Sequence, residues 1–162
     1  MRRYATLLTV ISAVVLAQTT VFVDQAFLYL PDAELKQRVS DQDEFIAYAG
    51  NVMDAIVPTI ASMPEAEPAS FGLIVTVRHG RESKVWFSVK SGSLSEDQRN
   101  HISSAIEAIR VPAVNYGVVP IAYGVRAWGA TDKITDFPVA PEWAEHNVEG
   151  MQAVDVIEKA WE

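Results

Sequence analysis

The chain has no cysteine, and that absence removes disulfides, thiolate nucleophiles and cysteine-based metal sites together, leaving packing as the source of stability. Positive charge is scarce as well: 13 Lys and Arg stand against 21 Asp and Glu, a formal net charge of −8. The basic residues form no cluster, whereas proteins that bind nucleic acid draw most of their affinity from clustered Lys and Arg that release counterions from phosphates. Nucleic acid is thus excluded as the expected partner, and a basic protein fits the charge better. Glycine-rich phosphate loops and the Gly-x-Ser-x-Gly nucleophile elbow are missing too, so no cradle for a nucleotide and no activated serine is assigned.

Histidine is confined to His79, His101 and His146, none beside a partner at a spacing that chemistry requires. His79 falls at a strand end, His101 in the first turns of a helix, and His146 four residues after Glu142. One helical turn would bring Glu142 and His146 together, but two ligands without a third make no metal site. Glu96, Asp97 and Glu107 are the carboxylates available for acid–base work, and all three fall on what reads as a solvated helix face. Neither a metal nor a cofactor is expected, and no catalytic residue is assigned.

What the sequence has in abundance begins at its start. Arg2 and Arg3 precede an uncharged run from Leu7 to Leu16, and Val15-Leu16-Ala17 supplies a small residue before a cut, the layout of a secretory leader. Residues 1–17 are read as that leader, or as a membrane anchor extending to about residue 23, since a span takes roughly 20 mostly apolar residues. The expected location is the periplasm or beyond, with an inner-membrane anchor facing the periplasm as the alternative. Losing the leader leaves 11 basic side chains against 21 acidic ones, a net of −10. About 140 residues remain, enough for one domain with a sizeable core.

Residues 32–63 have helical spacing: Phe45, Ile46, Ala49, Val52, Met53, Ile56, Val57 and Ile60 recur at three- and four-residue steps. Ser40 is the expected N-cap and Pro58 the expected stop or kink. Pro64 to Pro68 reads as a stiff linker into a β-rich unit. There Phe71 to His79 and Lys84 to Lys90 alternate and form a hairpin, Ser95 and Gln98 stand at capping-box distance before a helix to about Arg110, and Val119 to Trp128 alternates again. Asp132 to Pro141 is loop, and a last helical stretch starts at Glu142. The predicted architecture is α+β: a small antiparallel sheet in the order strand, strand, helix, strand, packed against N-terminal and C-terminal helical extensions.

Trp86, Trp128 and Arg126 fall opposite the most regular apolar alternation. Either they line a recognition surface, where indoles and guanidinium groups supply much of the energy, or a flanking helix covers them. If Val119 to Trp128 lies at the sheet edge, its free backbone groups accept an extended peptide; the sequence leaves open which strand is the edge.

The segments Gly72-Leu73-Ile74-Val75-Thr76-Val77 and Lys84-Val85-Trp86-Phe87-Ser88-Val89, the helix Ser95 to Arg110, and Pro112-Ala113-Val114-Asn115-Tyr116-Gly117-Val118-Val119-Pro120 together resemble the carboxy-terminal domain of the TonB energy-transducer family. The resemblance covers Phe71 to Gly129 and implies an envelope domain built on a hairpin, a helix and a third strand that binds protein through a sheet edge or face. The chain departs from the family in lacking a long Pro-rich, charged stretch, and an amphipathic segment of about 30 residues occupies that place. Four regions are expected: residues 1–17, the helical preface 32–63, the α+β unit 71–129, and the C-terminal segment 142–162 on the same domain. The expected function is a non-catalytic protein-binding or assembly module of the envelope, with Arg126, Trp128 and Trp86 as contacts. The alternatives are an acidic inhibitor or immunity protein using Asp132 to Asp136 and Glu142 to Glu149, and a small hydrolase. Oligomeric state is not legible.

Overall fold

The computed structural model describes residues 20–162. The expected leader, residues 1–17, lies outside the described residues, and only residues 20–23 of the alternative anchor fall within them. Phe22 and Val23 there belong to a strand. Among the described residues, no helix is long and apolar enough to cross a membrane.

The fold is the expected α+β: four antiparallel strands, β1 (Phe22–Leu28), β2 (Ala69–Arg78), β3 (Glu82–Ser91) and β4 (Val118–Ala127), form one sheet in the order β1-β4-β2-β3. The hairpin, helix α3 (Glu96–Glu107) and β4 keep the predicted order. β1 was not anticipated, because its aromatic and β-branched residues follow an apolar run and merge with it in the sequence. Here they pair with β4, from Phe22 opposite Arg126 to Leu28 opposite Ile121, with a bulge at Asp24.

The segment with helical spacing forms two helices, α1 (Asp32–Arg38) and α2 (Gln42–Ala61), the second being the longer part that a cap near residue 40 implied. Val39 between them is extended and bridges Val114. The cap of α2 is Asp41, not Ser40: its carboxylate accepts the N–H groups of Asp43 at 2.9 Å and Glu44 at 3.2 Å, where the exposed N–H groups of the helix start favour negative charge. Ser40 instead bonds Asn115 Oδ1 at 2.6 Å. Pro58 does not end α2, which runs on to Ala61. It costs a single backbone bond near the helix end, and the buried face of Phe45, Tyr48, Val52, Ile56 and Ile60 holds the turn in place. At α3 the predicted capping box is present, with Ser95 Oγ accepting from Gln98 N at 3.1 Å and Gln98 Oε1 accepting from Ser95 N at 2.8 Å.

Both faces of the sheet are covered, which is why β2 and β4 are buried nearly end to end. One face meets α2 and α3. Tyr123 donates from this face to the Ala49 carbonyl at 2.8 Å, so Val119, Ile121 and Val125 of β4 share it. The other face meets the C-terminal chain, and glycine decides where. Gly72 and Gly124 are register partners across β2 and β4, leaving a trough without side chains. Residues 134–138 lie in it: a Cβ on Gly72 would collide with the Pro138 ring, and one on Gly124 would come within 3.1 Å of Ile134. The stretch expected as one helix from Glu142 is a 3-10 helix (Pro141–His146) followed by α4 (Ala153–Trp161). Arg38, 8% exposed, fastens the ends together by donating to the Val118 carbonyl at 2.9 Å, to Glu34 at 2.7 Å and to Glu158 at 3.2 Å.

Candidate protein-docking surface

The three residues expected as contacts do not converge. Trp86 is 5% exposed, with its ring 5.8 Å from that of Trp143 in a T-shaped pair and the Lys84 ammonium 4.1 Å above it. Trp128 is also 5% exposed and sits in the turn after β4 at φ 54°. Arg126 clasps Asp24 with two bonds of 2.6 and 2.7 Å and stacks on Phe22 at 4.9 Å. Trp86 and Arg126 share a face, but Trp86 lies in the row of Ile74 and Ala122 whereas Arg126 lies four residues further along β4. The C-terminal chain covers the indole, and Asp24 occupies the guanidinium fork.

The edge role considered for Val119 to Trp128 is overturned by the topology: β4 lies between β1 and β2 and has no free side. The edges are β1 and β3. On β3, the Val85 N–H is taken by Glu107 Oε1 of α3 at 3.1 Å, the bulge that shifts the register falls at Lys90, and the Lys90 ammonium is tied to the Lys133 carbonyl at 2.6 Å. Bulges, lysines and covering helices are devices that protect a strand from addition.

The edge at β1 also has a bulge, at Asp24, but differs in its side chains. Its only charge, Asp24, is neutralised within the fold by Arg126, and it contains no Pro or Lys. Ala26 and Leu28 register with Tyr123 and Ile121 and therefore face the α2 side, yet both are exposed, Leu28 at 39%. Along α2, Ile46, Gly50, Met53 and Val57 recur at steps of four, three and four, which aligns them on one flank. Ile46 is 66%, Met53 44% and Val57 40% exposed, and among the described residues nothing lies within 4 Å of a Cβ placed on Gly50. The opposite flank of α2 carries Tyr48, which neighbours Ser83 and Glu107, and just beyond the helix end Ser62, 3.3 Å from His101 of α3. With α3 on that flank, the apolar one is turned toward β1. An open strand edge and an apolar helix flank thus border the same side of the sheet.

The titratable groups tell a different story from an acid–base site. Asp24 and Glu44 are held below the usual carboxylate range, Asp24 chiefly by its bond from Arg126 and Glu44 by its bond from Arg81. Burial pushes Tyr48 up to about 12 and raises Tyr29 and Tyr123 above the ordinary phenol value. Each shift locks in the charge state the group already has near neutrality, whereas a general base is tuned toward neutrality. His79 lies 3.4 Å from the Val114 carbonyl, His101 faces Ser62, and His146 closes the 3-10 helix. Three residues per turn separate Glu142 and His146 by about 120° around that helix, so they do not share a face. Among the described residues, no three His, Asp or Glu side chains converge as metal ligands. Of the carboxylates considered for acid–base work, Glu107 is committed to the β3 backbone.

Comparison with family models, with curated proteins and with solved structures gives no match.

Proposed function

We propose that this protein is a non-catalytic protein-binding or assembly module of the cell envelope, TonB-like in its unit Phe71 to Gly129, whose contact surface is the β1 edge together with the apolar flank of α2. The observation that carries this reading is the coincidence of the lysine-free β1 edge with Ile46, Met53 and Val57 on one side of the sheet. Strand addition draws affinity from main-chain hydrogen bonds, and alternate side chains of the added strand would rest on the α2 flank. The surface moves from the Trp86, Trp128 and Arg126 set to Ala26, Leu28, Ile46, Met53 and Val57, because the former are packed or paired inside the fold.

The test is site-specific photo-cross-linking in the producing cells, with the probe placed at Leu28 or Met53 and, as controls, at the exposed Glu96 and Asp155. Discrete protein adducts from positions 28 and 53 alone support the assignment. Adducts of equal yield from the controls, or none from 28 and 53, would overturn it.

A further inference from the structure

The reading of β1 and α2 as a docking surface leaves its partner unnamed, and the chemistry of the surface narrows it. We infer that the partner is a second copy of this chain, joined by antiparallel pairing of β1 with β1 about a two-fold axis. This inference rests on the docking-surface reading and goes beyond it.

The first argument is charge. Two copies of a molecule of net charge −8 repel each other at long range, and the repulsion at contact is least where the surface is neutral. β1 is such a place, since the carboxylate of Asp24 is already compensated by Arg126; on α2, Ile46, Gly50, Met53 and Val57 add no charge, and the exposed Asp43 and Asp54 beside them are the acidic groups that two copies must keep apart. An acidic partner finds nothing complementary here, whereas the neutral β1 strand is matched by its own copy. At β3, by contrast, an antiparallel pair centred near Phe87 would set Lys84 of one copy against Lys90 of the other.

The second argument is geometry. Identical strands pair antiparallel by a two-fold rotation, which makes the contact self-complementary and closed. Because the axis stands perpendicular to the sheet, both α2 helices fall on the same side of the resulting eight strands. Their apolar flanks then face each other, and Gly50, with open space over its Cα, is where the helices approach most closely. The third argument is area. A seven-residue strand spans about 24 Å, and strand and helix layers with centres about 10 Å apart make a side face about 20 Å deep, so the patch buries on the order of 500 Å² per copy. The total of about 1,000 Å² meets the lower bound for a specific interface and implies a weak dimer.

The lack of cysteine makes the test clean, because any thiol introduced is the only one in the chain. Single cysteines are placed at Val23, Gln25, Ala26 and Leu28, and as controls at Lys84 and Asp155, and intact producing cells are treated with diamide before non-reducing electrophoresis. Opposed residues on paired strands have Cβ atoms about 4.5–5.5 Å apart, close to disulfide reach. The expected result is a homodimer band at one or two neighbouring β1 positions and none at the controls. Ile46→Lys, a change at an exposed position that leaves the unfolding midpoint in place, should reduce that band several-fold. Monomer at every β1 position, or equal dimer from Lys84→Cys, overturns the inference. If photo-cross-links from Leu28 and Met53 run to a different protein while no β1 disulfide forms, the second copy is wrong and the docking surface stands. If neither forms, both readings fail together.

Discussion

Asp24 and Glu44 hold their protons less tightly in the fold than in an unfolded chain, each through a bond from an arginine. A carboxyl whose folded pKa is depressed contributes stability that is fully present above its unfolded value, about 3.9 for Asp and 4.3 for Glu, and lost as pH falls through the folded value. Urea midpoints followed from about pH 7 to about pH 2.5 should therefore decline steeply below pH 4, and Asp24→Asn should flatten that decline. The tyrosines act at the other end. Burial raises Tyr29, Tyr48 and Tyr123, so their contribution is present below the unfolded value of about 10 and is lost as pH rises through the folded values. Alkaline unfolding should set in above about pH 10 and coincide with phenolate absorbance. In Tyr123→Phe the bond to Ala49 is lost at a cost of about 0.5–1.5 kcal/mol at neutral pH, and the alkaline limb should shift upward; an unchanged limb would assign the transition to other groups.

Among the elements, the Gly72 and Gly124 trough is what lets an aperiodic segment become part of the core. Gly72→Ala should force Pro138 off the sheet and cost about 1–3 kcal/mol, as overpacking does, with amide exchange quickening first in the C-terminal segment that Pro138 leads into. A midpoint equal to wild type would mean the segment is not seated there. Ser95→Ala, which breaks the α3 capping box, should cost about 1 kcal/mol and leave the C-terminal cover untouched. These two sites also mark how far the sequence could be read. The capping box is local, three residues apart, and was legible in full; so were the hairpin and β4, whose alternation is strong. β1 was not, because its apolar residues run on from an apolar start and its bulge at Asp24 breaks the period. Asp41 displaced Ser40 as the cap because Val39 is drawn into a bridge with Val114, which a local reading cannot see. The alternation placed Trp86 on the face opposite Val85 and Phe87 and left open whether a flanking helix covers it; the cover is Trp143 of the C-terminal stretch, a long-range contact that no local pattern specifies. The apolar flank of α2 was not told apart from the buried stripe for a similar reason: Ile46, Met53 and Val57 match the helical period as well as Ile56 does, and their exposure among the described residues shows only in the fold.

At the scale of the whole molecule, charge and docking surface are separated, and that separation decides between rival functions. Exposed acidic groups such as Asp132, Asp136, Glu142, Glu145 and Glu149 lie along the C-terminal cover, while on the β1 and α2 side Asp24 is compensated by Arg126 and Asp43 and Asp54 border the apolar flank. An acidic inhibitor steered onto a basic enzyme is drawn in by the long-range field, so salt slows its association and weakens the complex. Two copies of a chain with charge −8 repel each other at long range and are held only by short-range contacts, so salt must act in the opposite sense, screening the repulsion and strengthening the dimer. Sedimentation of the protein from about 50 to about 500 mM salt reads that sign directly. Self-association that tightens as salt rises is the expected outcome, and Ile46→Lys should abolish it at every salt concentration rather than shift it. Self-association that weakens with salt would place attractive charge at the interface, which the geometry of β1 does not supply, and would direct attention to the acidic C-terminal cover instead.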